Sequence, residues 1–232
     1  MCGIAFTNKK ISKEEFSNKW ITKLSHRGPD HQGVYKTENN LFGHSRLSIQ
    51  DLSKNSNQPY VDDLGNVLLY NGEIYNSHEL IKELGNKDLN HHSDTEVLFN
   101  FIKEFGPSKI GLINGMFAFV YFDTSASKLI ISRDRFGVKP LYYYYDGDTF
   151  SVCSEISILR DNHDLVLNRL GVYEWIKVGF NSRENTIYKN LYSVSPGETL
   201  EINKNNKIIK SRFSEYPEID QTQYTDNDKI KE

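Results

Sequence analysis

The hydrophobic and polar positions of the chain fall into two alternating kinds of pattern. In the first kind, short runs of apolar and β-branched residues recur at intervals typical of β-strands. Six such runs predict strands, at Gly3–Thr7, 41–49, 66–70, 116–123, 128–132 and 141–145. The run 116–122 is almost continuously apolar, which indicates a strand covered on both faces, because a sheet with one buried face would alternate.

The second kind of pattern has helical spacing and lies between these runs. Ser12 followed by Glu15 has the spacing of a capping box and predicts a helix start. Residues 79–84 predict a short helix that ends at Gly85, and the spacing from Asp94 predicts a helix that ends at Gly106. Shorter patterns predict helices at 154–159 and 170–176 and hairpin turns at 146–148 and 203–206. Strands alternating with helices predict sheets sandwiched between helical layers.

Composition narrows the class of protein. The chain has 232 residues, 38% of them hydrophobic, which is enough for a substantial core and too apolar for a disordered chain. The net charge of −3 argues against a nucleic-acid partner, which would need a basic face. No run is long and apolar enough to span a membrane, and the N-terminus lacks the pattern of a signal peptide. With only two cysteines, we expect a reduced, cytoplasmic protein.

Cys2 is the sharpest candidate for chemistry. Removal of Met1 would leave a residue that carries both a thiol and a free α-amine. An α-amine titrates near 7.7–8.0, so it can take the thiol proton and serve as a built-in general base. The alternative is that Cys2 is an ordinary small residue. If Met1 is retained, the amine does not exist.

Three further positions carry groups that could bind a polar substrate. Asn71-Gly72 follows a predicted strand, where we expect a sharp turn whose amide and N–H could form an oxyanion hole, or else a plain β-turn. Arg46 could bind a carboxylate through two parallel hydrogen bonds, or could be a surface ion-pair partner. Asp94 could cap its helix or hold an ammonium group.

Other candidates are weaker. His91-His92 has no further ligand at metal-binding spacing, so we expect no metal site. The charged triplet 133–135 and Lys139 lack the glycine-rich loop of a phosphate site. Cys153 lies in an apolar stretch and is expected to be a buried structural thiol.

Taken in order, the motifs closely resemble those of the class II glutamine amidotransferases. More narrowly, they resemble the N-terminal glutaminase domain of glutamine-dependent asparagine synthetase. The matching segments begin with Cys2-Gly3-Ile4, His26-Arg27-Gly28-Pro29-Asp30, Arg46-Leu47-Ser48-Ile49, Asn71-Gly72-Glu73-Ile74-Tyr75-Asn76 and Ser93-Asp94-Thr95-Glu96. Later matches lie at 115–119, 132–142, 154–155 and 194–198.

This resemblance implies an α+β fold, the four-layer αββα sandwich of two antiparallel sheets found in N-terminal nucleophile hydrolases. It implies hydrolysis of L-glutamine to L-glutamate and ammonia through a thioester on Cys2. Asn71 and Gly72 would form the oxyanion hole, Arg46 would hold the α-carboxylate and Asp94 the α-ammonium. The remaining predicted substrate-binding residues are Leu47, Ile49, Gln50 and Glu73. Gln50 stands where the family usually has an aliphatic residue, and its contact is expected to be through the backbone.

The resemblance also implies a domain organisation. Residues 2–212 would be the glutaminase domain, and 213–232 a linker or the truncated start of a synthetase domain acting in cis or in trans. We expect no metal or cofactor in the glutaminase domain. ATP and magnesium belong to the synthetase domain, whose serine-glycine-glycine pyrophosphate loop does not occur in this sequence.

The acceptor stays open at this point. The ammonia would go to asparagine synthesis, or to another carboxylate such as a sugar acid. A third alternative is a catalytically silent glutamine-binding domain. The chain could also form a homodimer. Within the chain, 132–142 could face the synthetase domain, or its charges could pair within the domain.

Overall fold

Two antiparallel sheets of six strands each form the centre of the structure, a computed structural model that describes residues 1–48, 56–85, 89, 93–181 and 184–214. The first sheet has the strand order β10-β8-β9-β1-β3-β2 and the second has the order β12-β11-β7-β6-β5-β4. The strands are β1 Gly3–Thr7, β2 His31–Lys36, β3 Leu41–Arg46, β4 Tyr60–Val61, β5 Val67–Ile74, β6 Gly115–Asp123, β7 Lys128–Arg133, β8 Tyr142–Tyr145, β9 Phe150–Cys153, β10 Leu191–Ser193, β11 Glu198–Ile202 and β12 Ile208–Arg212.

Helices cover the outer faces of both sheets, except for the last helix, which is mostly exposed. They are α1 Lys13–Phe16, α2 Ser77–Glu83, α3 Asp94–Phe105, α4 Ile156–Asn162 and α5 Arg169–Val178. A π-helical segment and a 3₁₀ turn extend α1 to Leu24, and a 3₁₀ segment, Gly106–Leu112, follows α3. None of the helices formed by the described residues is long and apolar enough to cross a bilayer.

Strand β6 shows how the layers are held together. Ala118, Val120 and Phe122 point into the core between the sheets, where they meet residues of β1 and β3. Phe117 and Phe119 point the other way, into the core beneath α2 and α3. The prediction of a strand buried on both faces is therefore confirmed. A third core lies between the first sheet and the helices α1 and α4, which completes the predicted αββα sandwich.

The predicted helix signals act as expected at two ends. The Ser12 hydroxyl accepts a hydrogen bond from the Glu15 N–H at 2.9 Å, which confirms the cap of α1. Gly85 has a φ of +75° just beyond α2, a conformation that costs glycine little. Gly106 ends α3, but the chain continues helically as the 3₁₀ segment rather than leaving the helix there.

Candidate active site

A cavity of about 350 Å³ lies where the ends of β1, β3 and β5 meet the start of α3. It brings together the seven predicted site residues that the structure describes: Cys2, Arg46, Leu47, Asn71, Gly72, Glu73 and Asp94. Ile49 and Gln50, the other two, lie outside the described residues. The cavity is also lined by residues that sequence reasoning did not single out as substrate contacts, namely Met1, Ser56, Gln58, Tyr70, Ser77, Ser93, Thr95, Met116 and Lys139.

The Cys2 thiol is held by one backbone residue of the neighbouring strand end. The Leu47 N–H lies 3.4 Å from Cys2 Sγ and can donate to it, and the Leu47 carbonyl lies 3.7 Å away and can accept from the thiol. Burial raises the pKa of the thiol above its ordinary value, although the Leu47 N–H and the nearby charge of Arg46 act in the opposite direction. A proton acceptor close to the sulfur would therefore help the thiol to react.

Arg27 fixes the backbone of Cys2. Its Nε donates to the Cys2 carbonyl at 3.0 Å, and its Nη1 lies 2.6 Å from Glu155 Oε1. Gly28, the next residue, packs so closely on β3 that an added Cβ would lie 2.3 Å from the Ser45 carbonyl oxygen. The His-Arg-Gly-Pro-Asp segment thus presses the N-terminal residue against the end of β3.

Asn71 and Gly72 do not form the expected turn. Both lie inside β5, where Asn71 pairs with Ala118 and Gly72 with Phe117 of β6. Gly72 is not among the glycines with positive φ. The glycine is required by packing, because an added Cβ would lie 2.3 Å from the Met116 carbonyl oxygen. The prediction of a sharp turn, and with it the alternative of a plain β-turn, is wrong.

The strand conformation still provides two donors. Phe117, opposite Gly72, makes its backbone hydrogen bonds with Asp134 on the far side of β6. Gly72 and Phe117 are therefore a non-hydrogen-bonded pair, and the Gly72 N–H points away from β6. Asn71 is 1% exposed, and its buried side-chain Nδ2 has no acceptor among the described residues. A buried amide donor in a cavity wall is available to a ligand oxygen.

The two predicted charge contacts lie in the same cavity. Arg46 is 6% exposed at the end of β3, so the alternative of a surface position is wrong, and its Nη1 donates to Asn57 Oδ1 at 2.7 Å. Asp94 is the first residue of α3, but the cap is Ser93, whose hydroxyl accepts from the Glu96 N–H. The interpretation of Asp94 as a helix cap is therefore wrong.

The surroundings of Asp94 shift the pKa of its carboxyl in opposite directions. Burial raises the pKa of its carboxyl above the ordinary value, while hydrogen bonds from the Tyr70 hydroxyl and from the backbone N–H groups of Thr95 and Ile74 act to lower it. The Tyr70 hydroxyl lies 3.1 Å from Asp94 Oδ2. The carboxylate thus has a fixed orientation at the cavity wall.

The first two residues of the charged triplet 133–135 have a structural role. Arg133 donates to the carbonyls of Gly137, Lys139 and Val194, and buried Asp134 accepts backbone N–H groups from the same loop. These are hydrogen bonds to backbone, not the expected ion pairs. Arg135 is exposed and donates to the Gly111 carbonyl at 2.5 Å.

The remaining candidates also have a place. Lys139, at the end of that loop, lines the cavity. Cys153 is fully buried on β9, as expected, and burial raises the pKa of its thiol to about 12. His91 and His92 lie outside the described residues. The residues that the structure does describe contain no cluster of acidic, histidine or cysteine side chains suited to a metal ion.

Comparison with known sequences places the described part of the chain in one protein family. The family model of the glutamine amidotransferase domain matches residues 1–214. A putative asparagine synthetase [glutamine-hydrolyzing] 2 of Methanocaldococcus jannaschii is 34% identical, over 92% of this chain and 46% of its own length. Asparagine synthetase [glutamine-hydrolyzing] 3 of Bacillus subtilis is 33% identical, over 88% of this chain and 35% of its own length. The chain thus spans less than half the length of these relatives.

Structural comparison supports the fold. Glutamine phosphoribosylpyrophosphate amidotransferase of B. subtilis aligns with a TM-score of 0.65 and 21% identity, over 93% of this chain and 50% of that one. The architecture is the four-layer αββα sandwich of two antiparallel sheets that the sequence resemblance implied. With the cavity geometry and the family match together, the chain belongs to the glutamine amidotransferase family.

Proposed function

We propose that this chain, once Met1 is removed, hydrolyses L-glutamine to L-glutamate and ammonia through a thioester on Cys2. The observation that carries the proposal is the meeting of a thiol, a buried amide donor, a cation and a carboxylate in one cavity: Cys2, Asn71, Arg46 and Asp94. The M. jannaschii and B. subtilis relatives, both named as glutamine-hydrolysing, support it.

The reaction begins at the N-terminus. The freed α-amine of Cys2 takes the thiol proton, and the sulfur attacks the side-chain carbonyl carbon of glutamine. The negative charge that develops on the carbonyl oxygen is stabilised by the Asn71 Nδ2 and the Gly72 N–H, and one such donor contributes a factor of about 10²–10³ to kcat. Collapse breaks the C–N bond, the amine returns its proton, and ammonia leaves. Water then cleaves the thioester to release glutamate and the thiol.

Two residues of the cavity would bind the charged groups of the substrate. Arg46 takes the α-carboxylate and Asp94 the α-ammonium, while Leu47 and Glu73 also line the cavity. The backbone near Ile49 and Gln50 is expected to complete the contact. Glutamate would be rejected because its terminal carboxylate leaves donors and acceptors of the pocket mismatched.

Met1 must be absent for this chemistry. It lines the cavity beside Cys2, and while it is present the Cys2 nitrogen is an amide without basicity. A chain that retains Met1 would be the silent glutamine-binding domain considered above. The intact mass of the purified protein distinguishes the two, because processing removes one methionine.

We propose further that the ammonia passes to an ATP-dependent synthetase domain, in cis or in trans, that makes asparagine from aspartate. A sugar acid or another carboxylate is the second candidate acceptor. The hydrolysis itself would use no cofactor, since ATP and magnesium serve only to activate the acceptor. The two free thiols, at Cys2 and Cys153, support a reducing, cytoplasmic setting.

The first prediction concerns the nucleophile. Cys2→Ala should reduce glutamine hydrolysis to background, because no other thiol lines the described cavity. The fold should be retained, since Cys2 is only half-buried. A coupled enzymatic assay of the glutamate produced checks the loss of activity, and thermal unfolding checks that the fold is retained.

Cys153→Ala is the matched control. It removes the other thiol at a fully buried site and should keep full activity at a stability cost of about 1 kcal/mol. A chloroketone analogue of glutamine should label the wild type and Cys153→Ala once each and leave Cys2→Ala unlabelled. Turnover or labelling in Cys2→Ala would refute the thioester.

A further inference from the structure

Tyr70 occupies an unusual place for a core tyrosine. It is 3% exposed on β5, directly before Asn71, and its ring belongs to the core beneath α2 and α3. Its hydroxyl, however, reaches the cavity wall and donates to Asp94 Oδ2 at 3.1 Å. No motif of the sequence pointed to this contact, which joins a strand to the first residue of a helix 24 positions away.

The path of the ring depends on Gly72. A Cβ added at Gly72 would lie 2.7 Å from Tyr70 Cε2, so the missing side chain leaves the room through which the ring passes toward α3. Gly72 and Tyr70 point to the same face of β5 because they are two residues apart. The glycine that provides an oxyanion donor therefore also makes room for the contact with Asp94.

The hydrogen bond determines how Asp94 presents its charge. Tyr70 is a neutral donor, since burial and the neighbouring Asp94 raise its pKa well above the ordinary value. Its bond occupies one lone pair of Oδ2, and the Thr95 and Ile74 N–H groups also donate to the carboxylate. A carboxylate has about four acceptor positions, so three donors leave one for a ligand. Burial and the charge of Glu73 both raise the pKa of Asp94, and the Tyr70 donor works against them. A protonated carboxyl would not pair with an ammonium group.

We propose that Tyr70 is a positioning residue for substrate specificity: through Asp94 it sets the requirement for an α-amino group on the substrate amide. The inference deepens the proposed glutaminase function and rests on it. The preferred substrates would then be ω-amides of α-amino acids. An amide that lacks the α-ammonium would gain nothing from the Tyr70–Asp94 pair.

The test compares glutamine with its analogue 4-carbamoylbutanoate, which lacks only the α-amino group. In Tyr70→Phe, which keeps the ring and removes the hydroxyl, we expect the KM for glutamine to rise about 10-fold, the worth of one hydrogen bond to a charged group. The kcat should stay within about 2-fold. The inhibition constant of 4-carbamoylbutanoate, measured by competition against glutamine, should not change.

A purely structural role predicts a different result. If the hydroxyl only held β5 in place, its loss would displace Asn71, and kcat would fall while both ligands weakened alike. That result, or an unchanged KM for glutamine, would overturn the proposal. Absence of hydrolysis by the processed wild type would instead reject the proposed function, so the two failures are distinguishable.

The chain offers a matched control. The buried Tyr144 donates from its hydroxyl to Asp146 Oδ2 at 2.9 Å, on β8 and outside the cavity lining. Tyr144→Phe removes the same kind of bond and should leave the KM for glutamine, kcat and the inhibition constant at wild-type values. A 10-fold rise in KM there would show that loss of any tyrosine–aspartate bond produces the effect, and would overturn the assignment to Tyr70.

Discussion

Individual residues of the site were identifiable from sequence when their chemistry required a particular side chain. A thiol at position 2, an arginine at 46 and a carboxylate at 94 each have a chemistry that few other residues provide. Tyr70 and Asn57 were not identifiable, because their roles depend on which atoms the fold brings near them. A tyrosine in an apolar strand run is indistinguishable from an ordinary core residue until its hydroxyl partner is known.

Arg46 is the residue whose removal tests the substrate's orientation. Arg46→Ala should raise the KM for glutamine about 30-fold or more, because a charge-assisted pair in a desolvated site contributes about 2–4 kcal/mol. The kcat should change less, since the residue does not contact the reacting amide. Steady-state kinetics of ammonia release measure both.

The matched control is Arg160→Ala. Arg160 is half-exposed on α4 and pairs with Asp161, so its loss should leave KM unchanged. A normal KM in Arg46→Ala would mean that the α-carboxylate binds elsewhere in the cavity.

Elements were predictable where their patterns were dense. The apolar run of β6 and the capped start of α1 were located to within one or two residues. β2 and β12 gave no such signal, because β2 mixes polar residues with Gly33 and β12 is mostly exposed at the edge of its sheet. Short or half-exposed strands are fixed by their neighbours rather than by their own sequence.

The end of β5 shows the same dependence on neighbours. Pairing with β4 stops at Tyr60 opposite Leu68, so the backbone of Tyr70 lacks a strand partner on that side. Two side chains replace it: Gln58 Oε1 accepts from the Tyr70 N–H at 2.6 Å, and His44 Nε2 lies 3.2 Å from the Tyr70 carbonyl. These two contacts, together with the pairing to β6 that continues as far as Ile74, keep the chain extended where a turn was expected.

His44 therefore links the two sheets next to the oxyanion donors. Burial lowers its pKa to about 3, so the ring is neutral at working pH and its Nε2 must carry the proton that it donates to the carbonyl. His44→Leu should cost about 1–3 kcal/mol of stability by leaving that buried carbonyl unpaired. It should also lower kcat by about 10-fold or more, because β5 carries Asn71 and small displacements are costly.

His44→Gln provides the control, since its amide nitrogen can occupy nearly the position of Nε2. It should recover most of the kcat and of the unfolding temperature lost in His44→Leu. Equal kcat in His44→Leu and wild type would show that the bond between the sheets does not position the oxyanion donors.

At the scale of the whole molecule, the four layers follow from where apolar side chains point. Strands with apolar residues on both faces must lie between two cores, and the sequence showed this for β6. The boundary of the domain was harder to predict, because the limit at residue 212 rests on the extent of the family resemblance. Phe213, just beyond it, stacks on Phe117 with ring centroids 6.1 Å apart, and its N–H donates to the Gly197 carbonyl.

The last prediction concerns this boundary. A chain that ends at Ser214 should unfold at the same temperature and hydrolyse glutamine with the same kcat as the full chain, because 215–232 is polar and poor in large aliphatic residues. A chain that ends at Arg212 should be less stable by about 1–2 kcal/mol, because Phe213 is half-buried and a fully buried phenylalanine contributes about 1.5–3 kcal/mol. At about 2–4 °C per kcal/mol for a domain of this size, calorimetry resolves the difference. In the full chain, Phe213→Ala should reproduce most of the stability lost on truncation at Arg212.

If the chain ending at Ser214 is destabilised as much as the shorter one, residues 215–232 contribute to the fold and the domain extends further than the composition suggests.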